Sequence, residues 1–217
     1  MARPFCALLT DMDGTLIHSE EPICRAIQIA FEEVGKKRPP TDALLRMFGL
    51  PVEQMLVALS DTSADDSACI DAFIRAYKRQ YPICMAEATC IDGVKETLRA
   101  VQARGIPICL ITSERRSNAT YILDRLGLLP YLAHMVTRDE VTQCKPHPKP
   151  ILAAAEAAGT PIGQCLYIGE SPFDMQAGLA AGVYTVGVAS GHWGVETLIA
   201  CKPNEIVAQF SDILSLF

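Results

Sequence analysis

The sequence predicts an α/β fold: a doubly wound parallel sheet with an all-helical segment inserted after the first strand. Short apolar runs alternate with stretches of helical periodicity, and these helical stretches end at glycines. The alternation is interrupted once, between residues 19 and 88. The chain has 217 residues, half of them apolar, which is enough for one core with a small appendage.

The predicted strands are short apolar runs bounded by polar turns. They are Phe5–Thr10, Ile106–Ile111, Cys165–Ile168 and Val183–Val188. The helices between them are predicted over Val94–Arg104, Asn118–Leu126, Ile151–Ala158 and Asp174–Ala181. A glycine stands at the end of each helix, where it adopts a positive φ without strain. Continuous apolar strands that alternate with helices predict a parallel sheet covered on both faces.

The insert over residues 19–88 is predicted to contain only helices and loops. Its helical stretches are Ile23–Val34, Met47–Leu59 with interruptions at Gly49 and Pro51, and Cys69–Tyr81. Thr41 follows two prolines and is a candidate N-cap. The predicted domains are therefore 1–18 with 89–217 for the α/β core, and 19–88 for the helical insert.

Composition and charge exclude several classes of protein. A net charge of −6 argues against a protein that coats nucleic acid or an anionic membrane. No apolar run approaches the roughly 18 residues that a membrane span needs, and Phe5–Leu9 does not lead into a signal-peptide cleavage site. The nine cysteines are odd in number and lack CxxC spacing, so we expect buried thiols rather than disulfides or zinc ligands. We therefore expect a cytoplasmic protein that binds neither nucleic acid nor membrane.

Chemically active residue types stand at four places that follow predicted strands or precede helices. These are Asp11-Met12-Asp13-Gly14-Thr15, Thr112-Ser113, Lys145-Pro146-His147-Pro148, and Gly169–Asp174, whose second residue is Glu170. Each has a plain structural alternative, namely a turn, a capping hydroxyl, a solvated lysine or acidic residues at a helix N-terminus. Ligand sites of open parallel sheets form at the carboxyl ends of the strands. The four places together therefore predict one site.

These motifs, in this order, resemble the haloacid dehalogenase-like hydrolase superfamily. That family's pattern is DxDGT/V, a Thr or Ser after a hydrophobic strand, a Lys, and an acidic GDxxxD-type motif. The resemblance covers nearly the whole chain and implies a Rossmann-like core with a small, mobile helical cap. The sequence is similar to the phosphoglycolate phosphatase and β-phosphoglucomutase-like branch through Asp13–Leu16, Asp92-Gly93-Val94, Lys145–Pro148 and Gly178–Gly182. It departs from the usual pattern at Glu170 and His18, where Asp is common.

The resemblance implies a Mg²⁺-dependent phosphatase that works through an aspartyl-phosphate. Asp11 is then the nucleophile, and Asp13 is the general acid and base. The implied metal ligands are Asp11, the backbone carbonyl of Asp13 and Glu170, with Asp174 as a ligand or an orienting residue. An acid at Asp13 favours phosphoryl transfer over dehalogenation, because a halide leaves without a proton.

The implied substrate is a small phosphorylated metabolite of the phosphoglycolate or sugar phosphate type. Lys145, Thr112 and the backbone N–H of Ser113 would bind its phosphoryl oxygens. Arg46 in the cap is a candidate for an anionic group of the substrate, and a surface arginine is the equal alternative.

Other functions are compatible with the same scaffold. A phosphomutase of the β-phosphoglucomutase type is disfavoured, because Ile23 stands where that branch carries a cap histidine. A pyrophosphatase stays open. A regulatory binding module is the non-enzymatic alternative, since fold alone does not prove turnover. The sequence leaves the oligomeric state undetermined.

Overall fold

A computed structural model describes residues 5–48 and 50–217 of the chain. Residues 1–4, which begin the predicted core segment, and Gly49, a predicted interruption of the helical insert, lie outside the described residues. The chain divides into two compact units. The α/β unit comprises the described residues up to His18 together with Thr89–Phe217, and the helical unit is Ser19–Ala88.

The α/β unit is built on a six-stranded sheet in which every neighbouring pair of strands is parallel. Its strands within the described residues are β1 (Ala7–Thr10), β4 (Ile108–Ile111), β5 (His134–Val136), β6 (Cys165–Gly169), β7 (Tyr184–Val188) and β8 (Glu205–Val207). Two further strands, β2 (Ile17–His18) and β3 (Thr89–Cys90), pair with each other outside this sheet. The sheet order is β5-β4-β1-β6-β7-β8. The predicted parallel α/β fold is confirmed. Because the chain builds outward from β1 on one side and then on the other, the topological switch point lies beside β1.

The central strands form where the sequence is continuously apolar. All residues of β1, β4 and β6 are buried. Leu9 in β1 is in register with Cys109 on one side and with Tyr167 on the other. A strand buried on both faces needs apolar side chains at every position, and for this reason the alternation of a half-exposed strand is missing.

The helices of the described residues follow in chain order. They are α1 (Glu20–Glu33), α2 (Thr41–Leu45), α3 (Val52–Leu59), α4 (Ser67–Met85), α5 (Val94–Ala103), α6 (Arg116–Arg125), α7 (Lys149–Ala157), α8 (Pro172–Ala181) and α9 (Val195–Cys201). The predicted stops of α5 to α8 are confirmed by positive φ angles at Gly105, Gly127, Gly159 and Gly182. In this part of the chain, no helix combines the length and hydrophobicity needed to cross a membrane.

Some elements differ from the sequence prediction. The short strands β5 and β8 and the helix α9 were not predicted, and α6, α7 and α8 each begin two residues earlier than expected. The prediction that Thr41 caps a helix is wrong, because Pro40 holds the N-cap position and Thr41 is the first residue of α2. The Thr41 hydroxyl instead accepts a hydrogen bond from Gln28 Nε2 at 3.2 Å. The expectation of buried thiols holds for Cys24, Cys84, Cys109 and Cys165, whereas Cys6 is exposed and the other four cysteines are half-buried.

The helical unit has a core of its own. Helix α1 packs along α4, and the rings of Phe31 and Phe73 meet edge to face with their centroids 5.3 Å apart. Asp66 caps α4 by accepting a hydrogen bond from the backbone N–H of Cys69 at 3.1 Å. This unit therefore buries apolar surface independently of the sheet.

The two chain segments that lead into and out of the helical unit run side by side in the α/β unit. Strands β2 and β3 pair antiparallel, with His18 opposite Thr89. Beyond them, the backbone N–H of Ile91 donates to the carbonyl of Leu16 at 3.0 Å. The insert is thus joined to the α/β unit through a two-stranded ribbon.

Candidate active site

Three of the predicted residues stand at the carboxyl end of the central strands. The backbone N–H of Asp11 donates to the carbonyl of Ile168 at 3.0 Å, and that of Thr112 donates to Val136 at 3.0 Å. Each residue thereby extends the hydrogen bonding of the sheet by one position, and Glu170 directly follows β6. Because the strands are parallel, these three positions share one edge of the sheet.

A buried ammonium joins two of the predicted carboxylates. Lys145 Nζ contacts Asp11 Oδ1 and lies 2.7 Å from Asp174 Oδ1. The three side chains are 8%, 8% and 1% exposed, respectively, so the contacts are shielded from water. Residues that are far apart in the sequence thus converge on one charged cluster, as the order of motifs predicted.

The Asp174 carboxylate is held by several donors from its own surroundings. Its Oδ1 also accepts from the Tyr167 hydroxyl at 2.6 Å, and its Oδ2 accepts from Ser171 Oγ at 2.6 Å and Ser171 N–H at 3.0 Å. The bond from the Ser171 N–H, together with the bond that the Asp174 N–H donates to Ser171 Oγ at 3.2 Å, forms a capping box that begins α8. Gly169 leaves room for this arrangement, because a Cβ there would stand 2.5 Å from Asp174 Cβ.

Burial and mutual charge set the protonation of the cluster. Burial raises the pKa of Asp11 to about 7, and the nearby Asp174 charge acts in the same direction against the opposing Lys145 charge. Burial acts upward on Asp174 too, but Lys145 and the hydrogen bonds from Ser171 and Tyr167 hold its pKa below the usual value. Burial acts to lower the pKa of Lys145, but the two carboxylates outweigh burial and raise this pKa above its ordinary value. Lys145 is therefore a permanent cation, and Asp174 is its ionised partner.

The turn after β1 leads to β2 and is closed by backbone hydrogen bonds. Gly14 has a φ of 72°, and its N–H donates to the carbonyl of Ile17 at 2.9 Å. Thr15 Oγ1 donates to Asp11 Oδ2 at 3.4 Å. Asp13 is half-buried and forms an isolated bridge with Ile17. The turn predicted at Asp13 and Gly14 is present, and it keeps Asp13 near Asp11.

The remaining predicted substrate residues differ in their surroundings. Thr112 is buried, and its Oγ1 accepts from the backbone N–H of Glu114 at 3.1 Å, whereas Ser113 is exposed. A hydroxyl that accepts one bond keeps its proton to donate elsewhere. Arg46 lies in the helical unit, where its exposed side chain pairs with Asp42 at 2.9 Å.

The donor set fits Mg²⁺. Asp11 and Glu170 are buried carboxylates at one sheet edge, and the carbonyl of Asp13 would add a third oxygen donor. Within the described ranges, no three His, Cys, Asp or Glu side chains are grouped to hold a metal by themselves. Mg²⁺ commonly binds through one or two carboxylates and keeps several waters, so such a sparse oxygen set suits it. The four donors around Asp174 favour the orienting role over direct ligation for that residue.

Two residues of the cluster were not predicted from the sequence. The sequence indicates Tyr167 only as part of a buried strand, and Ser171 only as part of an acidic motif. Both left a signal, since a buried tyrosine usually needs a partner for its hydroxyl. Serine three residues before Asp174 is the pattern of a capping box.

Known proteins are similar in sequence to this chain over most of its length. The pyrophosphatase PpaX of Bacillus pumilus is 29% identical over 214 residues, covering 96% of this chain and 94% of that protein. A phosphoglycolate phosphatase of Escherichia coli is 29% identical over 224 residues, covering 94% and 89%. The crystal structure of a predicted phosphoglycolate phosphatase from Haemophilus somnus has a TM-score of 0.91 at 24% identity, covering 98% of each chain. The last likeness shows the shared fold.

The family model described as haloacid dehalogenase-like hydrolase matches residues 8–188, a range that contains the acidic turn, the lysine and the final acidic motif. The predictions of this superfamily and of a hydrolytic enzyme are confirmed. Since the match spans well over half of the sequence, the chain belongs to the haloacid dehalogenase-like hydrolase family.

Proposed function

We propose that this protein is a Mg²⁺-dependent phosphatase that hydrolyses a small phosphate monoester through a phosphorylated Asp11. The observation that carries the proposal is the buried Lys145 ammonium in contact with Asp11 and Asp174. A carboxylate that attacks a phosphate dianion meets repulsion of about 4 kcal/mol for each pair of unit charges ~4 Å apart at an effective dielectric of ~20. A preorganised cation beside the nucleophile offsets that repulsion.

In the first step, a carboxylate oxygen of Asp11 attacks phosphorus and the bond from phosphorus to the leaving oxygen breaks. Asp13 donates its proton to that oxygen, so the leaving group departs as an alcohol. Lys145, the Thr112 hydroxyl and the backbone N–H of Ser113 hold the phosphoryl oxygens. Asp174 keeps the Lys145 ammonium in place.

In the second step, water attacks phosphorus of the acyl-phosphate and the bond to Asp11 breaks. Asp13, now a carboxylate, accepts the proton of that water and is ready for the next cycle. When bound by Asp11, the Asp13 carbonyl and Glu170, Mg²⁺ supplies positive charge to the phosphoryl group.

The relatives named above support a choice of candidate substrates. Phosphoglycolate and similar small phosphate esters are the first candidates, and inorganic pyrophosphate is the second because one relative is a pyrophosphatase. We assign the helical unit to substrate selection as a cap, and Arg46 to an anionic group of the substrate. Its side chain is 69% exposed and pairs with the exposed carboxylate of Asp42, so exchanging that partner for a ligand costs little.

Phosphate release from a panel of phosphoglycolate, sugar phosphates and pyrophosphate tests the proposal. We expect turnover with Mg²⁺, loss of turnover in EDTA, and a decrease of at least about 10³-fold in Asp11→Asn. Asp124→Asn, an exposed change on α6, is the matched control and should leave the rate unchanged.

Each alternative has its own outcome. Undiminished activity in Asp11→Asn would remove the nucleophile, and full activity in EDTA would remove the metal. An isomerised sugar phosphate without free phosphate would indicate a mutase. Inactivity across the panel would favour a regulatory binding module.

Arg46→Ala tests the substrate contact. We expect a KM about ten times higher with little change in kcat, since the arginine would bind ground state and transition state alike. Arg75→Ala, another exposed arginine of the helical unit, should change neither constant. Equal KM values for both variants would refute the role of Arg46.

A further inference from the structure

The loop that follows β7, residues 189–194, lies directly against Glu170. A Cβ built on Gly191 would overlap Glu170 Oε2 and would stand 2.6 Å from Glu170 Cδ and 3.0 Å from Cγ. Side-chain atoms do not approach a real Cβ so closely. Only glycine therefore leaves the space that the Glu170 carboxylate fills.

Backbone conformation does not demand this glycine. The φ of Gly191 lies outside the left-handed region, in contrast to that of Gly194 in the same loop. An alanine at position 191 would be acceptable to the main chain. What the missing side chain provides is room for one carboxylate.

The same loop contacts the acidic turn. Ser190 Oγ donates to the carbonyl oxygen of Gly14 at 3.2 Å. The loop thus contacts the turn that carries Asp13 through Ser190, and it contacts the side chain of Glu170 through Gly191. It links the two segments that supply the expected oxygen ligands.

We propose that Gly191 is a positioning residue, which sets the direction of the Glu170 carboxylate and through it the affinity for Mg²⁺. This inference rests on the proposed function, in which Glu170 is a ligand. Glutamate is one methylene longer than the aspartate that the family commonly has at this position. The extra length brings its carboxylate against the loop, and Gly191 accommodates it.

The displaced atom in a Gly191→Ala variant would be the end of a flexible side chain. The carboxylate would therefore turn aside, whereas the backbone would keep its course. Changes in residues that support metal ligands typically cost 10–100-fold in metal affinity. We expect Mg²⁺ to bind about ten times more weakly to Gly191→Ala, with the same thermal unfolding midpoint in EDTA.

Isothermal titration of the metal-free full chain with Mg²⁺ measures this affinity without reference to turnover. Gly163→Ala is the matched control, because a Cβ there meets nothing within 4 Å and its φ is not positive. The Glu170→Asp change, made in both backgrounds, completes a double-mutant cycle. Shortening the side chain relieves the overlap, so Glu170→Asp should cost less affinity in Gly191→Ala than in the wild type.

Mg²⁺ affinity in Gly191→Ala equal to that of Gly163→Ala would overturn the proposal, and so would equal costs of Glu170→Asp in the two backgrounds. Failure of Gly191→Ala to fold even with Asp at position 170 would also overturn it, since the space would then serve the fold. A wild-type chain that binds no Mg²⁺ would refute the metal in the proposed function as well. Normal wild-type binding with an unchanged variant would refute only the role of Gly191.

Discussion

The two units of this chain place their charges in opposite ways. The α/β unit buries the carboxylates of Asp11, Glu170 and Asp174, and Lys145 contacts the first and the last of them. In the described part of the helical unit, the buried polar side chains are neutral. They are Ser19, Gln28 and Thr62. Ion pairs of this unit, such as Arg46 with Asp42, lie at the surface.

This difference indicates where chemistry is located. An isolated buried charge costs several kcal/mol in desolvation, and attraction to a partner recovers that cost only in good geometry. A core that needs only stability avoids such groups, as the helical unit does. The burial of the carboxylates, rather than their number, therefore favours the sheet edge as the place of the proposed chemistry.

Removal of the buried cation should have the largest effect. Lys145→Met leaves the Asp11 and Asp174 carboxylates facing each other, and we expect a loss of about 3–5 kcal/mol in the free energy of unfolding at neutral pH, together with loss of activity. Urea unfolding of the metal-free protein measures the first. Lys36→Met, which removes a surface pair with Asp61, should leave the urea midpoint unchanged. Similar midpoint shifts for the two variants would contradict the conclusion that only the α/β unit depends on a buried charge.

The pH dependence of stability should differ next. The pKa of Asp11 rises from 3.8 to about 7 on folding, so the folded protein binds its proton more tightly than the unfolded chain. The resulting stabilisation is fully present below about pH 4 and is lost as the pH rises towards 7. Urea midpoints of the wild type in EDTA should fall through this window relative to those of Asp11→Asn. Parallel profiles for the two proteins would place the titration elsewhere.

A smaller effect is expected from the phenol behind the cluster. Tyr167→Phe removes one donor from the charged Asp174 and should cost about 1.5–3 kcal/mol in stability. Tyr184→Phe removes a hydroxyl that donates to the half-buried Glu205 at 3.1 Å, and it is the matched control with a cost below about 1 kcal/mol. Thermal unfolding of the two variants measures the loss of stability in each, and equal losses would show that burial of the acceptor is unimportant.

The smallest effect should come from the helical unit. Asp66→Ala removes the cap of α4 and should cost about 1 kcal/mol of stability. The kcat of the enzyme should be unchanged, because this carboxylate holds a helix end and no reacting group. A matched Asp65→Ala change should cost less, and a strong fall in kcat for Asp66→Ala would contradict the separation of roles.

The sequence predicted the centre of the sheet better than its borders. Strands β1, β4, β6 and β7 are continuous apolar runs, which bury both faces and are visible in the sequence. Strands β5 and β8 have three residues each and are partly exposed, so their pattern does not differ from that of a loop. Helices α7 and α8 begin earlier than expected because prolines and polar residues form their first turns.

The site was predictable to the extent that it depends on strand ends. Asp11 and Lys145 were found because chemically active residues follow the strands in a recognisable order. Tyr167 and Gly191 were not, since their roles lie in contacts between segments that are distant in the sequence. A phenol that faces Asp174 and a missing Cβ beside Glu170 become visible only in three dimensions.

The central position of β1 has a consequence for the newly made chain. Among the strands of this sheet, β1 leaves the ribosome first, but it pairs with β4 and β6, which are synthesised after the whole helical unit. Its apolar side chains therefore lack their native neighbours until β4 and β6 have been synthesised, an interval in which α1 and α4 can already assemble. A molecular chaperone that shields the nascent β1 segment would protect it from aggregation in that interval.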